Sequence, residues 1–171
     1  MAEDVLWNYP EPFVECVEVT ELVAFYWDKV DAWLEEDEQV FIGPKDPYTR
    51  VDTRETSRRV EVVVNGVKIA DTKKAVMLLE TGQPHRYYIP KADVQMGLLR
   101  ETGRTMESTY KGTASYYDIE AGGETAELVA WIYEDPIAES GRIAGYICFP
   151  QGKVEMCVDG VPQENPKSRW D

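Results

Sequence analysis

The chain has 171 residues, enough for one domain with an appended arm and enough to bury a core without disulfides or metals. Its apolar content of 43% excludes wholesale disorder, and its formal charge of −14 argues against nucleic-acid backbones and anionic membrane surfaces as partners. The acidic balance reads chiefly as solubility.

The opening MAEDVLWNYP is acidic and broken by proline, unlike a secretory leader, and no later apolar run approaches a membrane span. Cys16, Cys148 and Cys157 form no CxxC pair, so the thiols read as reduced and the location as cytoplasmic. Cys148 and Cys157 lie in apolar, strand-like runs and read as buried and inert. Residues 35–58 are charged, hold Pro44 and Pro47, and read as a connector.

RRVEVVVNGVKIADT (58–72) predicts a hairpin. Val60, Val62 and Val64 alternate with Glu61 and Val63, and Asn65-Gly66 tolerates the positive φ of a tight turn. AVMLLETG (75–82) reads as a strand closed by Gly82-Gln83-Pro84, and RYYIP (86–90) as a strand stopped by Pro90. Residues 91–103 read as a short helical turn followed by a strand or loop. Residues 113–136 predict a second hairpin around Ala121-Gly122-Gly123, with Trp131 and Tyr133 on the return strand. RIAGYICF and KVEMCVDG predict a third around Pro150-Gln151-Gly152. The tail 161–171 is proline-broken, and its Trp170 either docks or ends loose. The class that follows is mainly β: antiparallel hairpins with little helix.

The chain also repeats itself. Residues 7–33 set against 131–157 without gaps give seven identities in 27 positions. They are Trp7/Trp131, Tyr9/Tyr133, Pro12/Pro136, Glu15/Glu139, Phe25/Phe149, Lys29/Lys153 and Val30/Val154. Chance supplies roughly two at ordinary composition. The N-terminal arm thus reads as the last third of a domain whose first two thirds are missing. Its apolar load predicts a hairpin like that of 131–157, docked on the complete copy or exchanged in a dimer.

VVVNGVKIADT, LLETGQPHRYYIPKADV, TYKGTASYYDI, AWIYEDP and IAGYICF, in that order, resemble a known family, domain of unknown function 427, sometimes labelled a nucleotidyltransferase domain. The resemblance implies an antiparallel, tent-like fold similar to Mss4-like domains. It also implies a tandem plan: residues 1–36 as the remnant of a first copy, 37–58 as linker, 59–160 as a complete copy and 161–171 as tail. Relatives commonly carry Cys-Pro before Tyr/Phe-Lys-Gly, where this chain has Ser108-Thr109 before Tyr110-Lys111-Gly112. A cysteine chemistry in relatives would here be absent or fall to a weaker hydroxyl. No phosphate-binding loop or metal motif supports the transferase label.

The polar residues in these motifs are the candidate site. Arg86, Tyr88, Tyr116, Trp131 and Tyr133 would bind a ligand, with Arg86 clamping a carboxylate or phosphate. Lys111 would serve as a point charge, and Glu80 or Glu139 as a general base if desolvated. Against this stands a structural reading: Arg86–Glu139 or Lys111–Glu80 as ion pairs, with Trp131 and Tyr133 divided between rim and core. With His85 the only histidine, no metal and no cofactor are expected. The expectation is a small-molecule-binding protein, monomer or homodimer. It is read as a cofactor-independent enzyme on an anionic or carbonyl-bearing metabolite, with two alternatives: the nucleotidyltransferase-like activity that the family label implies, or a non-catalytic binding or assembly module.

Overall fold

A computed structural model describes residues 3–36, 38–40, 43 and 45–166, so Trp170 lies outside the described residues. The chain divides into two units, Met1–Pro44 and Lys45–Asp171.

Among its described residues the first unit holds four short strands: β1 (Leu6–Trp7), β2 (Ala24–Phe25), β3 (Trp33–Glu35) and β4 (Glu38–Val40). β1 pairs antiparallel with β2, and β3 with β4. Between β1 and β2 the chain runs through a 3-10 segment, Val14–Val19. Strands of two or three residues bury little on their own, so aromatic contacts knit the unit. Trp27 and Trp33 stack at 4.6 Å between ring centroids, and the Trp33 indole N–H donates to the Trp27 carbonyl at 2.9 Å.

The second unit carries the other eleven strands among the described residues. They are β5 (Val51–Glu55), β6 (Val60–Val64), β7 (Val67–Thr72), β8 (Val76–Glu80), β9 (Arg86–Pro90), β10 (Leu99–Ser108), β11 (Gly112–Ala121), β12 (Glu124–Tyr133), β13 (Tyr146–Cys148), β14 (Glu155–Val158) and β15 (Val161–Pro162). They form two open sheets, one of seven strands in the order β10-β11-β12-β13-β9-β8-β5 and one of four in the order β15-β14-β6-β7. Every pairing is antiparallel, and the protein is mainly β, with only short 3-10 segments as helix among the described residues.

The alternation written in the sequence decides what each face buries. In β6 the buried Val60, Val62 and Val64 point into the main core, which the seven-stranded sheet fills from its side with Tyr87, Ile89, Ile132 and Ile147, joined by Phe149 just after β13. Asn65 and Gly66 both take positive φ, as their hairpin requires. That turn meets the turn of the next hairpin: a Cβ at Gly122 would lie 2.5 Å from the Asn65 carbonyl oxygen, so only glycine fits there.

The third expected hairpin is not one. β13 belongs to the seven-stranded sheet, between β12 and β9, whereas β14 pairs with β6 in the other. The chain changes sheets at Pro150-Gln151-Gly152, where proline offers no N–H to a ladder and Gln151 turns its side chain inward. The true partner of β13 is β12, across the 3-10 segment Ala138–Ile143. Residues 51–55, within the stretch read as connector, form edge strand β5 against β8.

The two units share local geometry at a fixed offset of 124 residues. Trp7 faces Ala24 in β1–β2, as Trp131 faces Cys148 in β12–β13. The 3-10 segments Val14–Val19 and Ala138–Ile143 fall at the same offset. So do the turn bonds from Lys29 N–H to the Tyr26 carbonyl and from Lys153 N–H to the Pro150 carbonyl.

Candidate functional site

The seven-stranded sheet has a second face, away from the main core. Cross-strand pairing brings Tyr116, Trp131, Cys148, Tyr88 and Val76 into one row, from β11 through β12, β13 and β9 to β8. Val76, Tyr88 and Cys148 of this row belong to a second buried cluster together with Leu78, Ala114, Tyr133 and Ile143, and Tyr116, Trp131 and Tyr146 are half-buried against it. Alternation in β9 sends Tyr87 and Ile89 to the main core and Arg86 and Tyr88 to this face.

Arg86 is half-buried. Its guanidinium donates to the buried Gln151 side-chain oxygen at 2.8 Å and lies 5.9 Å from the centre of the Trp131 ring. The Trp131 indole N–H in turn donates to the Tyr88 hydroxyl at 3.3 Å. Tyr88 and Tyr133 stand 6.4 Å apart, centre to centre, and Tyr116 lies 6.1 Å from Trp131. The result is a cation laid beside an aromatic floor, with its position fixed from one side by an amide.

Lys111 occupies the tight turn between β10 and β11. Gly112, at φ +93°, lets the chain pass close to the segment after β12: a Cβ there would meet the Asp135 carbonyl oxygen at 3.3 Å. The Ile137 N–H donates to the Lys111 carbonyl at 3.2 Å, which pins the turn. The Lys111 ammonium then reaches Glu80 Oε2 at 2.5 Å, with both side chains largely buried at 13% and 14% exposure. Of the two structural pairs considered from sequence, this one forms. Arg86–Glu139 does not: Glu139 bonds Lys45 at 2.5 Å on an exposed part of the 3-10 segment.

The electrostatics follow burial. Cys148 is fully buried, and desolvation pushes its thiol up to about 12 despite the opposing pull of Arg86 and Lys111. Burial also raises the Tyr88 phenol well above its ordinary range, the nearby thiol adding to it. Tyr133 and Tyr116 are raised for the same leading reason. Glu139 moves the other way, held below the usual carboxylate range by its bond to Lys45 and by its own backbone N–H. A base that desolvation would lift toward neutrality is therefore not what Glu139 offers.

Seven of the eight candidate residues thus meet on one face: Glu80, Arg86, Tyr88, Lys111, Tyr116, Trp131 and Tyr133. Glu139 stands apart. Sequence reasoning missed Gln151, read as a turn residue. Cys148 is fully buried, as read from the sequence, whereas Cys157 is only half-buried. Ser108 sits at the end of β10, and its hydroxyl accepts the Tyr110 N–H at 3.4 Å, a turn-closing role. Among the described residues no group of three or more His, Cys, Asp or Glu side chains is placed to hold a metal ion.

A family model matches the chain over residues 1–36 and 52–160, and its description is domain of unknown function, DUF427. The chain belongs to the DUF427 family. The two matched stretches fall one in each unit. The DUF427 model carries a nucleotidyltransferase label, NTP_transf_9, and names no reaction. No curated protein matches this DUF427 chain. No helix among its described residues is long and apolar enough to cross a membrane.

Proposed function

We propose that this DUF427 protein binds a small anionic metabolite bearing an aromatic ring or carbonyl group, on the face made by Arg86, Trp131, Tyr116 and Tyr88. The observation that carries the reading is the state of Arg86. It is half-buried and held in place by Gln151 and Trp131, yet it has no ion pair among the described residues. A partly desolvated guanidinium without a carboxylate is costly, and a ligand carboxylate or phosphate removes that cost with bidentate geometry. The indole and phenol rings beside it suit a flat group on the same ligand.

Binding is the core of the reading and catalysis is not required by it. Lys111 and Glu80 neutralise each other, so neither is a free cation or a free base until the pair opens. If turnover occurs, these two are the groups that would move a proton. Glu139, exposed and bound to Lys45, has no part in it. The nucleotidyl-transfer reading rests on the family label alone.

Titration calorimetry tests the proposal with inorganic phosphate, 4-hydroxybenzoate and nucleoside monophosphates as probes. At least one should bind saturably. Arg86→Ala should abolish that binding, and Arg86→Lys should weaken it at least tenfold, because the planar fork is lost. If no probe raises the wild-type melting temperature and Arg86→Ala unfolds the chain, Arg86 is structural and the proposal fails.

A further inference from the structure

Three charged side chains stand at the aromatic face of the seven-stranded sheet: Arg86, Lys111 and Glu80. Val76 and Leu78 alternate to this face of β8, and Glu80 follows in the same phase. Leu78 lies opposite Arg86 in β9, so Glu80 is a diagonal neighbour of Arg86. Diagonal neighbours stand about 7–8 Å apart, within reach of long side chains. Glu80 nevertheless pairs with Lys111 at 2.5 Å, and Arg86 turns to the neutral Gln151.

The three charges share one environment. The Cys148 thiol, raised by burial, is pulled back by both Arg86 and Lys111. The Tyr88 and Tyr133 phenols, raised first by burial, are pushed a little further by Glu80. The remaining charges near this face are screened or already bound. Glu55, opposite Val76, and Arg104, two residues before Met106, are exposed to water. Asp118 accepts the Leu128 N–H at 2.8 Å. His85 packs on Tyr87, on the opposite face of β9.

We infer that Glu80 sets the charge of the ligand: by holding Lys111 it leaves the face one net positive charge, that of Arg86, so the ligand is a singly charged aromatic acid such as a carboxylate, and dianionic phosphate monoesters, nucleotides among them, are rejected. The inference rests on the ligand face proposed above and names the class of anion that face takes. A carboxylate offers two oxygens to the guanidinium fork and brings one charge. A phosphate monoester brings close to two at neutral pH. Its second charge would stand beside the Glu80 carboxylate, in a partly desolvated place, with Lys111 already bound. Like charges brought together in that way select against a partner. The formal charge of −14 on the whole chain adds to the repulsion.

Calorimetry on the full chain tests this with three probes: benzoate, phenyl sulfate and phenyl phosphate. The last two have the same shape and differ by one charge at pH 8. At pH 8 benzoate and phenyl sulfate should bind, and phenyl phosphate at least tenfold more weakly than phenyl sulfate. At pH 5.5, below the second phosphate pKa of about 6, phenyl phosphate becomes a monoanion and should approach phenyl sulfate. Phenyl sulfate keeps its charge throughout, so the ratio of the two cancels any titration of the protein. Glu80→Gln frees Lys111, and at pH 8 it should raise the affinity for phenyl phosphate relative to phenyl sulfate at least tenfold. Should that variant fail to fold, the pH series on the wild-type chain decides alone. Phenyl phosphate binding as tightly as phenyl sulfate at pH 8, or a folded Glu80→Gln chain with an unchanged ratio, overturns the inference and leaves the ligand face standing. Binding of none of the three at millimolar concentration overturns both.

Discussion

Hairpins 7–33 and 131–157 carry the same Trp-x-Tyr start, the same 3-10 segment and the same strand register, yet their side chains live in opposite environments. Tyr133 is 5% exposed and Tyr9 is 56%. Ile147 and Phe149 are fully buried, whereas Val23 and Phe25 stand at 55% and 46%. Local sequence is thus sufficient to write a hairpin and insufficient to bury it. What differs is the presence of β8, β9 and β11 beside the second one.

The same comparison sorts the candidate site. Trp131 and Tyr133 recur as Trp7 and Tyr9, so they belong to the hairpin's own construction. Arg86, Glu80 and Lys111 come from the completing strands and turn, and have no counterpart in the first unit. If the face has a chemistry of its own, these residues and not the repeated aromatics confer it.

The largest effect that would break this comparison is a matched pair of truncations. Tyr133→Ala opens a cavity in a packed cluster and should cost about 3–5 kcal/mol in denaturant unfolding. Tyr9→Ala should cost less than about 1 kcal/mol, because its ring is already in water. Equal costs would show that Tyr9 is buried in solution.

Next in size is the Lys111–Glu80 pair. Glu80→Gln leaves a largely buried ammonium without its carboxylate and should cost about 2–3 kcal/mol, somewhat less than a fully enclosed pair. The double change Glu80→Gln with Lys111→Met should recover part of that loss. A single mutant with wild-type stability would mean the pair is exposed in solution.

An effect confined to alkaline pH, and so absent under ordinary conditions, comes from the buried thiol. Folding raises the Cys148 pKa from an ordinary 9.0 to about 12, so the folded state favours the protonated form. Its contribution is fully present below about pH 9 and is lost as pH rises toward 12, at about 1 kcal/mol per unit. The raised phenols of Tyr88 and Tyr133 act in the same direction at still higher pH. Thiol labelling at pH 8 gives the kinetic counterpart. Exposed Cys16 should react at once and buried Cys148 only on unfolding, although the Cys16 counterpart in the second unit, Ser140, is itself fully buried.

The parts of the fold legible in the sequence are those fixed by short-range rules. The alternation of Val60, Val62 and Val64, the positive-φ pair Asn65-Gly66 and the glycines at 122 and 123 each specify their element within a few residues. The switch of sheets at Pro150 was not legible, because KVEMCVDG pairs as readily with a neighbour as with a strand nearly a hundred residues earlier. In the site, residue types were readable and partners were not. Gln151 reaches Arg86 across 65 positions and Lys45 reaches Glu139 across 94, and no local pattern encodes either bond. Only the Lys111–Glu80 pairing was among the alternatives the sequence raised.

The central claim is that Arg86 is a cation waiting for an anion. Crystals of the full chain soaked in a mixture of small aromatic carboxylates and phosphates test it most directly. The account predicts density for an anionic group within hydrogen-bond distance of the Arg86 guanidinium, with its ring over Trp131 or Tyr116, and none at that place in crystals of Arg86→Ala. Clear density bound elsewhere, or an Arg86 that keeps its bond to Gln151 with solvent alone beside it at millimolar ligand, would contradict it.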